Sequence, residues 1–115
     1  RQLRLDPSLV KITTNDELRL TIHGPWYQTI LFEVPILAII NEVYFRRTQP
    51  NAEQQPEGMR RLEEKCRLAN TATVPLRLIE FGTRRRYSAA WQETVVRVMR
   101  ERLGDIFLGT SNVHW

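Results

Sequence analysis

The first part of the chain alternates apolar and polar residues with a period of two. The alternation runs over residues 8–14 and again over residues 18–23, where it is clearest. A period of two is typical of a strand that buries one face. The Asn-Asp-Glu sequence at residues 15–17 supplies turn chemistry, and Gly24-Pro25 ends the second segment. The pattern therefore predicts an antiparallel hairpin with a buried apolar face.

The period changes in the middle of the chain. Residues 27–33 are predicted as a third strand, because apolar side chains alternate there over a short run. From Pro35 onward apolar residues recur every three or four positions, which predicts a helix over residues 35–47 with Pro in its first turn. A Pro- and Gln-rich connector follows at residues 48–58, and a second helix is predicted over residues 57–70.

The last part of the chain has the pattern of strand, helix and strand. Residues 74–81 and 106–108 are predicted strands, and residues 89–103 are the helix between them. Ser88 is placed to cap the start of that helix, and Gly104 suits the position after its end. Strands joined in this way pair in parallel, and a parallel sheet is normally buried on both faces. The chain offers too few elements to complete such a sheet.

The fold class predicted from these patterns is α+β followed by α/β. Residues 1–47 are expected to be the end of an antiparallel N-terminal domain, residues 48–73 a connector and helix, and residues 74–115 the start of an α/β domain. A first residue other than Met supports the same expectation, that the chain is a piece of a longer protein.

Composition excludes several classes of protein. Of the 115 residues, 42% are hydrophobic and 26% are charged, which argues against a disordered tail and a membrane protein. The single cysteine, Cys66, cannot form an internal disulfide, so we expect a reducing compartment and a cytoplasmic location. The most apolar stretch, residues 30–45, is interrupted by Pro35 and by acidic residues, and is interpreted as core rather than as a membrane span.

The positive charge is concentrated rather than spread. The formal net charge is +4, and all but two of the 17 cationic residues are Arg, the side chain suited to a bidentate grip on carboxylate and phosphate. Residues 71–115 hold seven cationic residues against four acidic ones, and three of the seven are consecutive at residues 84–86. A local triplet favours a small anionic ligand over a nucleic acid, whose binding proteins usually spread cations along a face.

The two loops that follow the predicted parallel strands are the candidate site. In α/β folds, binding residues collect at the carboxyl ends of parallel strands, here residues 80–86 and 109–112. The first loop also leads into a helix N-terminus, whose free N–H groups attract anions. Arg84 is the first candidate ligand and Arg86 the second, whereas Arg85 is expected at the surface or in a salt bridge. The alternative is that all three form a solvated turn.

Other polar residues carry weaker signals. His23 is interpreted as a surface or capping histidine at a strand end, and Cys66 as an inert core residue. Residues 63–65, Glu-Glu-Lys, are interpreted as a solvated face. The sequence shows no metal-ligand spacing, no phosphate-binding P-loop and no Gly-x-Gly-x-x-Gly fingerprint.

Three motifs together resemble bacterial nicotinate phosphoribosyltransferases. EFGTRRRYSAAWQETV, residues 80–95, resembles the first barrel strand, loop and helix of that family. FLGTSNV, residues 107–113, resembles the next strand and its loop, and residues 24–46 are similar to the segment that closes the family's N-terminal domain. The resemblance is weakest in the connector at residues 48–58.

The resemblance implies a fold, a reaction and partners. The family joins nicotinate to phosphoribosyl pyrophosphate, coupled to ATP hydrolysis, and so feeds NAD salvage. Its fold pairs an N-terminal α+β domain with an irregular α/β barrel, and its active sites lie at a homodimer interface. The resemblance thus implies ATP and Mg²⁺ as cofactors, and neither a nucleic acid nor a membrane as partner. The substrate-binding residues that it implies, together with the loops above, are Thr83, Arg84, Arg86, Thr110, Ser111 and Asn112.

Part of that machinery is missing from the sequence. The family's phosphorylated His belongs to a later motif beyond residue 115, and His114-Trp115 only faintly echoes it, so no catalytic residue is assigned. We expect these 115 residues to be inactive by themselves. Two alternatives remain open at this point: a small Arg-rich nucleic-acid-binding module, and a structural remnant without activity.

Overall fold

The computed structural model describes residues 6–14, 17–49 and 56–111. Within these residues the chain forms two separate two-stranded sheets and four α-helices. One sheet is antiparallel and the other is parallel. This arrangement is consistent with the predicted order of an antiparallel α+β segment followed by an α/β segment.

The N-terminal hairpin is confirmed, with β1 at Val10–Thr14 and β2 at Leu18–Ile22. The strands are antiparallel, and Val10 pairs with Ile22. The turn predicted at residues 15–17 lies largely outside the described residues. The prediction of a buried face is wrong, because Ile12 and Leu18 on the apolar face are 63% and 60% exposed. A hairpin buries its apolar side only against a further layer, and the described part of the chain leaves these two side chains uncovered.

The strand predicted at residues 27–33 is also wrong, since this segment is helical. Helix α1 spans Trp26–Thr29, a 3₁₀ turn spans Ile30–Phe32, and helix α2 spans Glu33–Thr48. The carbonyl of Pro25 accepts hydrogen bonds from two residues of α1 and so begins the helix. Pro35 lies in the first turn of α2, where its missing N–H costs little. A short apolar run is compatible with the period of a strand and with that of a helix, and in the structure this segment is helical.

The helical stretch Trp26–Thr48 has 23 residues and is long and apolar enough, by length and composition, to cross a membrane. Only 17% of its apolar window is buried. The helical stretch is longer than the apolar segment predicted at residues 30–45. Phe32 and Ala38 within it are buried, which supports the prediction that the segment contributes to the core. The carboxylates of Glu33 and Glu42 form ion pairs with arginines from the second half of the chain.

The main hydrophobic core lies between two predicted helices, both confirmed. Helix α3 spans Pro56–Asn70 and helix α4 spans Ala89–Leu103. The buried side chains of this core come from both helices, and they are Leu62, Cys66, Val98 and Leu103. The prediction for Cys66 as a core residue is confirmed, and burial raises the pKa of its thiol.

The strand–helix–strand unit is confirmed as well. Strands β3, Leu78–Glu80, and β4, Phe107–Thr110, pair in parallel on either side of α4 in the sequence. Strand β3 is shorter than the predicted 74–81, because β4 offers it only four residues to pair with. The Ser88 hydroxyl caps α4 by accepting from the N–H of Trp91 at 3.0 Å, and Gly104 ends the helix at a φ of 53°, as predicted.

A cleft at the ends of the parallel strands

The two loops that the sequence placed at one sheet edge do lie together. The backbone N–H of Ser111 donates to the carbonyl of Glu80 at 2.8 Å, which extends the pairing of β3 and β4 by one bond. The hydroxyls of Thr83 and Ser111 are 3.0 Å apart. Thr83 and Ser111 thus meet as the sequence predicted, whereas Asn112 lies outside the described residues.

The carboxylate of Glu80 ties the two loops to each other. Its Oε1 accepts from the backbone N–H of Gly82 at 2.5 Å, and its Oε2 accepts from the hydroxyl of Thr110 at 2.5 Å. Gly82 has little room for a side chain, because an added Cβ would lie 2.6 Å from Glu80 Oε1. The close approach of backbone and carboxylate therefore depends on glycine at this position.

The side chain of Gln92 is buried beneath the same loops. It is 3% exposed, and its amide nitrogen donates to Glu80 Oε2 and to Thr83 Oγ1, both at 2.9 Å. Gln92 is not among the site residues predicted from the sequence. A signal was present, because Gln92 shares the inner face of α4 with Val95 and Met99, and a polar residue in line with core positions normally has buried partners.

Arg84 lies at the edge of the site and is paired within the chain. Its Nη1 is 2.6 Å from Oε1 of Glu33, and both side chains are roughly half exposed. The carbonyl of Arg84 accepts from the amide of Asn41 at 2.9 Å, so two residues of α2 hold it. Arg85 is exposed, as predicted for a surface residue.

Arg86 lies behind the site rather than in it. Its side chain is 9% exposed, with Nη2 3.5 Å from Oε2 of Glu42 and Nη1 3.5 Å from Oε1 of Gln92. Its Nε is buried without a hydrogen-bond partner. Glu42 also accepts from the N–H of Ala89 at 3.2 Å, so one carboxylate contacts Arg86 and the positive N-terminus of α4. Arg86 thus joins α2 to α4 from the inside.

A cleft of about 270 Å³ opens beside these loops. One side of it is apolar and comes from the helical stretch before and within α2, and the polar residues Thr83, Arg84 and Ser111 line the other side. Its lining residues are Ile30, Leu31, Val34, Pro35, Phe81, Thr83, Arg84 and Ser111. Phe81 is 77% exposed, which leaves the face of its ring available to a ligand. The combination suits a flat apolar ring that carries an acidic group.

Two further observations concern His23 and the grouping of possible metal ligands. His23 is exposed at the end of β2, as expected of a surface histidine. Among residues 6–14, 17–49 and 56–111, no group of three or more His, Cys, Asp or Glu side chains could hold a metal ion.

Comparison with known proteins identifies the family. A model of the nicotinate phosphoribosyltransferase (NAPRTase) N-terminal domain matches residues 1–41, and a model of the nicotinate phosphoribosyltransferase family matches residues 76–115. Together they match more than half of the chain. The chain belongs to the nicotinate phosphoribosyltransferase family. The nicotinate phosphoribosyltransferase of Cupriavidus necator is 54% identical over 102 residues, and that of Acidovorax sp. is 46% identical over 121 residues.

Solved nicotinate phosphoribosyltransferases have a similar fold over nearly the whole chain. The enzyme from Vibrio cholerae superposes with a TM-score of 0.75 over 94% of the chain, at 29% identity. The one from Porphyromonas gingivalis gives 0.72 over 96%, also at 29% identity. The chain spans 26% of the Cupriavidus necator relative and 27% of the Vibrio cholerae structure, about a quarter of each.

Proposed function

We propose that the chain is a portion of a nicotinate phosphoribosyltransferase. The whole protein would join nicotinate to phosphoribosyl pyrophosphate, with ATP hydrolysis, and release nicotinate mononucleotide and pyrophosphate in NAD salvage. The observation that carries the proposal is the cleft at the adjacent ends of β3 and β4, where Thr83, Arg84 and Ser111 face an apolar side. Its position agrees with the general rule for ligand sites in α/β folds.

The lining of the cleft suits nicotinate in two ways. The pyridine ring would lie between Phe81 and the apolar residues Val34 and Pro35, where its faces leave water. The ring carboxylate would turn toward the guanidinium of Arg84 and the hydroxyl of Ser111, which are donors for an anion. With the carboxylate held, the ring nitrogen is free to attack the anomeric carbon of the phosphoribosyl donor.

Arg84 would have to exchange partners when nicotinate binds. In the structure its guanidinium is taken by Glu33, and the pair is roughly half exposed. Exposed ion pairs of this kind contribute little, about 0–1 kcal/mol, so a ligand carboxylate inside a cleft can replace Glu33 at modest cost. The ion pair therefore leaves Arg84 available as a binding residue.

The residues for the remaining steps of the reaction are proposed to lie in the rest of the protein. The residues that hold the pyrophosphate donor and the phosphorylated His are expected beyond this chain. ATP and Mg²⁺ stay predictions for the whole protein, on the resemblance to the family. A complete α/β barrel, a homodimer, a cytoplasmic location and the absence of nucleic-acid and membrane partners are proposed on the same resemblance.

A chimera tests the proposal directly. This chain would replace the segment that it matches in the Cupriavidus necator relative, and the product would be assayed for nicotinate mononucleotide from nicotinate, phosphoribosyl pyrophosphate and ATP. We expect turnover by the chimera and none by the purified 115-residue chain. A folded chimera without activity would contradict the assigned function, and turnover by the short chain would contradict its being a portion.

A further inference from the structure

We propose that Gln92 is a positioning residue that sets the direction of a hydrogen-bond chain ending in the cleft. The inference rests on the proposed function, because it concerns how the cleft receives the carboxylate of its substrate. In this arrangement Gln92 donates to Thr83, Thr83 donates to Ser111, and Ser111 donates to the ligand.

The direction follows from the donors that each group possesses. A glutamine amide nitrogen carries two N–H donors, and in Gln92 both are used, one toward Glu80 Oε2 and one toward Thr83 Oγ1. The carboxylate of Glu80 accepts from the amide, and it also accepts from Gly82 and Thr110. Glu80 therefore fixes which end of the Gln92 amide faces the loops.

The orientation of the Gln92 amide determines the donor direction of the Thr83 and Ser111 hydroxyls. A hydroxyl has one proton to donate, and Thr83 Oγ1 already accepts from Gln92. Among the described residues, Ser111 Oγ is the other hydrogen-bond partner of Thr83 Oγ1, 3.0 Å away, and we assign the Thr83 proton to it. Because Ser111 accepts that bond, its proton is free to point into the cleft that it lines. Hydrogen bonds in such a chain polarise one another, which strengthens the last donor.

Burial makes the arrangement specific. Gln92 is 3% exposed and Thr83 is 2% exposed, so solvent does not compete for these bonds. The oxygen of the Gln92 amide faces Arg86 at 3.5 Å, a donor only, which disfavours a flipped amide. A carboxylate at position 92 would reverse the chain, since Thr83 would donate to it and Ser111 would present a lone pair to the cleft.

Exchanging the side chains at positions 80 and 92 tests the direction of their hydrogen bond while keeping a bond between them. In the double variant Glu80→Gln with Gln92→Glu, the amide and the carboxylate trade places and the net charge is unchanged. The bond between positions 80 and 92 is kept, and its direction is reversed. Nicotinate and nicotinamide are the probes, because an acid needs a donor at Ser111 whereas the neutral amide can donate to a lone pair.

The readout is the ratio of kcat/KM for nicotinate to that for nicotinamide, measured in the chimera together with its thermal stability. We expect the double variant to remain folded and to lower the ratio roughly ten-fold or more, the scale of one hydrogen bond to a charged group. Gln92→Leu, which removes both donors, should lower the ratio too. Glu93→Gln, an exposed neighbour on α4, is the matched control and should leave it unchanged.

The outcomes distinguish the two proposals. A parent chimera that folds without activity overturns the proposed function, and the role of Gln92 with it. An active parent whose ratio is the same in the folded double variant overturns only the role of Gln92. If the double variant does not fold, Gln92→Leu decides, and an unchanged ratio there also overturns the proposal. A ratio that falls only in proportion to lost stability, or falls equally in Glu93→Gln, counts against it as well.

Discussion

At the scale of single residues, the polar side chains around the cleft are held by hydrogen bonds and an ion pair within the chain. Arg84 is held by Glu33, Thr83 is buried under Gln92, and Glu80 accepts three hydrogen bonds. None of these pairings joins neighbours on a single helix. The sequence predicted the residue types in the two loops, but it could not show these partners, because Glu33 and Gln92 reach the loops only through the tertiary fold.

Replacing Glu33 tests whether it competes with the ligand for Arg84. Glu33→Gln removes the charge that faces Arg84 Nη1 at 2.6 Å, so the guanidinium becomes fully available. We expect KM for nicotinate in the chimera to fall roughly two- to five-fold, the range of an exposed ion pair. Arg85→Ala, in the same turn, should have no effect. A higher KM in Glu33→Gln would mean that Glu33 orients Arg84 instead of competing for it.

Gly82 is the residue whose replacement should disturb both loops at once. In Gly82→Ala the new Cβ would lie 2.6 Å from Glu80 Oε1, so the carboxylate must move away from its donors. We expect a loss of about 1–3 kcal/mol in the free energy of unfolding, with weaker nicotinate binding. Denaturant unfolding of the 115-residue chain measures the first effect and KM in the chimera the second. Gly24→Ala, whose added Cβ would lie 3.1 Å from Leu9 Cδ2 and would displace no hydrogen-bonded group, is the control. An equal loss there would mean that the hydrogen bonds of Glu80 are not the cause.

At the scale of elements, the sequence predicted correctly those segments in which a long run of helical periodicity is bounded by capping residues. Helix α4 was predicted with its bounds, because Ser88 and Gly104 mark its two ends. The segment at residues 27–33 was mistaken for a strand, because seven residues are too few to distinguish the two periods. Strand β3 is shorter than predicted, because the length of a parallel strand depends on a partner strand that is distant in the sequence.

Helix α3 carries an acid-sensitive ion pair at its first turn. Hydrogen bonds from Arg60 and then Arg61 lower the pKa of Glu57 from its ordinary value of 4.5 to about 2. A carboxyl with a lowered pKa in the folded state stabilises the fold above the unfolded pKa and loses that effect as the pH falls through the folded one. Glu57→Gln should therefore be less stable than the parent chain at neutral pH.

The stability difference between Glu57→Gln and the parent should shrink between about pH 4.5 and about pH 2. Thermal unfolding of both chains across this range gives the measurement. Because the Glu57 side chain is 44% exposed, added salt should also reduce the difference. A difference that is constant with pH would show that Glu57 acts through something other than its charge.

At the scale of the whole molecule, many of the described arginines form ion pairs with glutamates of the same chain. These arginines are Arg46, Arg60, Arg61, Arg67, Arg84, Arg86, Arg97 and Arg102. More than half of the described arginines therefore have a carboxylate beside them. This distribution weakens the alternative of a nucleic-acid-binding module.

A salt titration decides between the two interpretations of the charge. A protein that neutralises several phosphates shows a steep fall of affinity with salt, with a slope of about −0.9 for each phosphate contact. We expect the 115-residue chain to bind duplex DNA and single-stranded RNA weakly and with a slope near one or less. Fluorescence anisotropy between 50 mM and 200 mM salt measures it. Tight binding with a slope of several contacts would restore the nucleic-acid hypothesis.

The uncovered side of the β1–β2 hairpin has a consequence for the fate of the chain in a cell. Ile12 and Leu18 present apolar surface on a sheet that has two strands within the described ranges, and exposed apolar surface is what molecular chaperones and quality-control proteases recognise. A further layer over the hairpin would hide this surface from both. Covering Ile12 and Leu18 would therefore protect the chain from degradation as well as stabilise the hairpin.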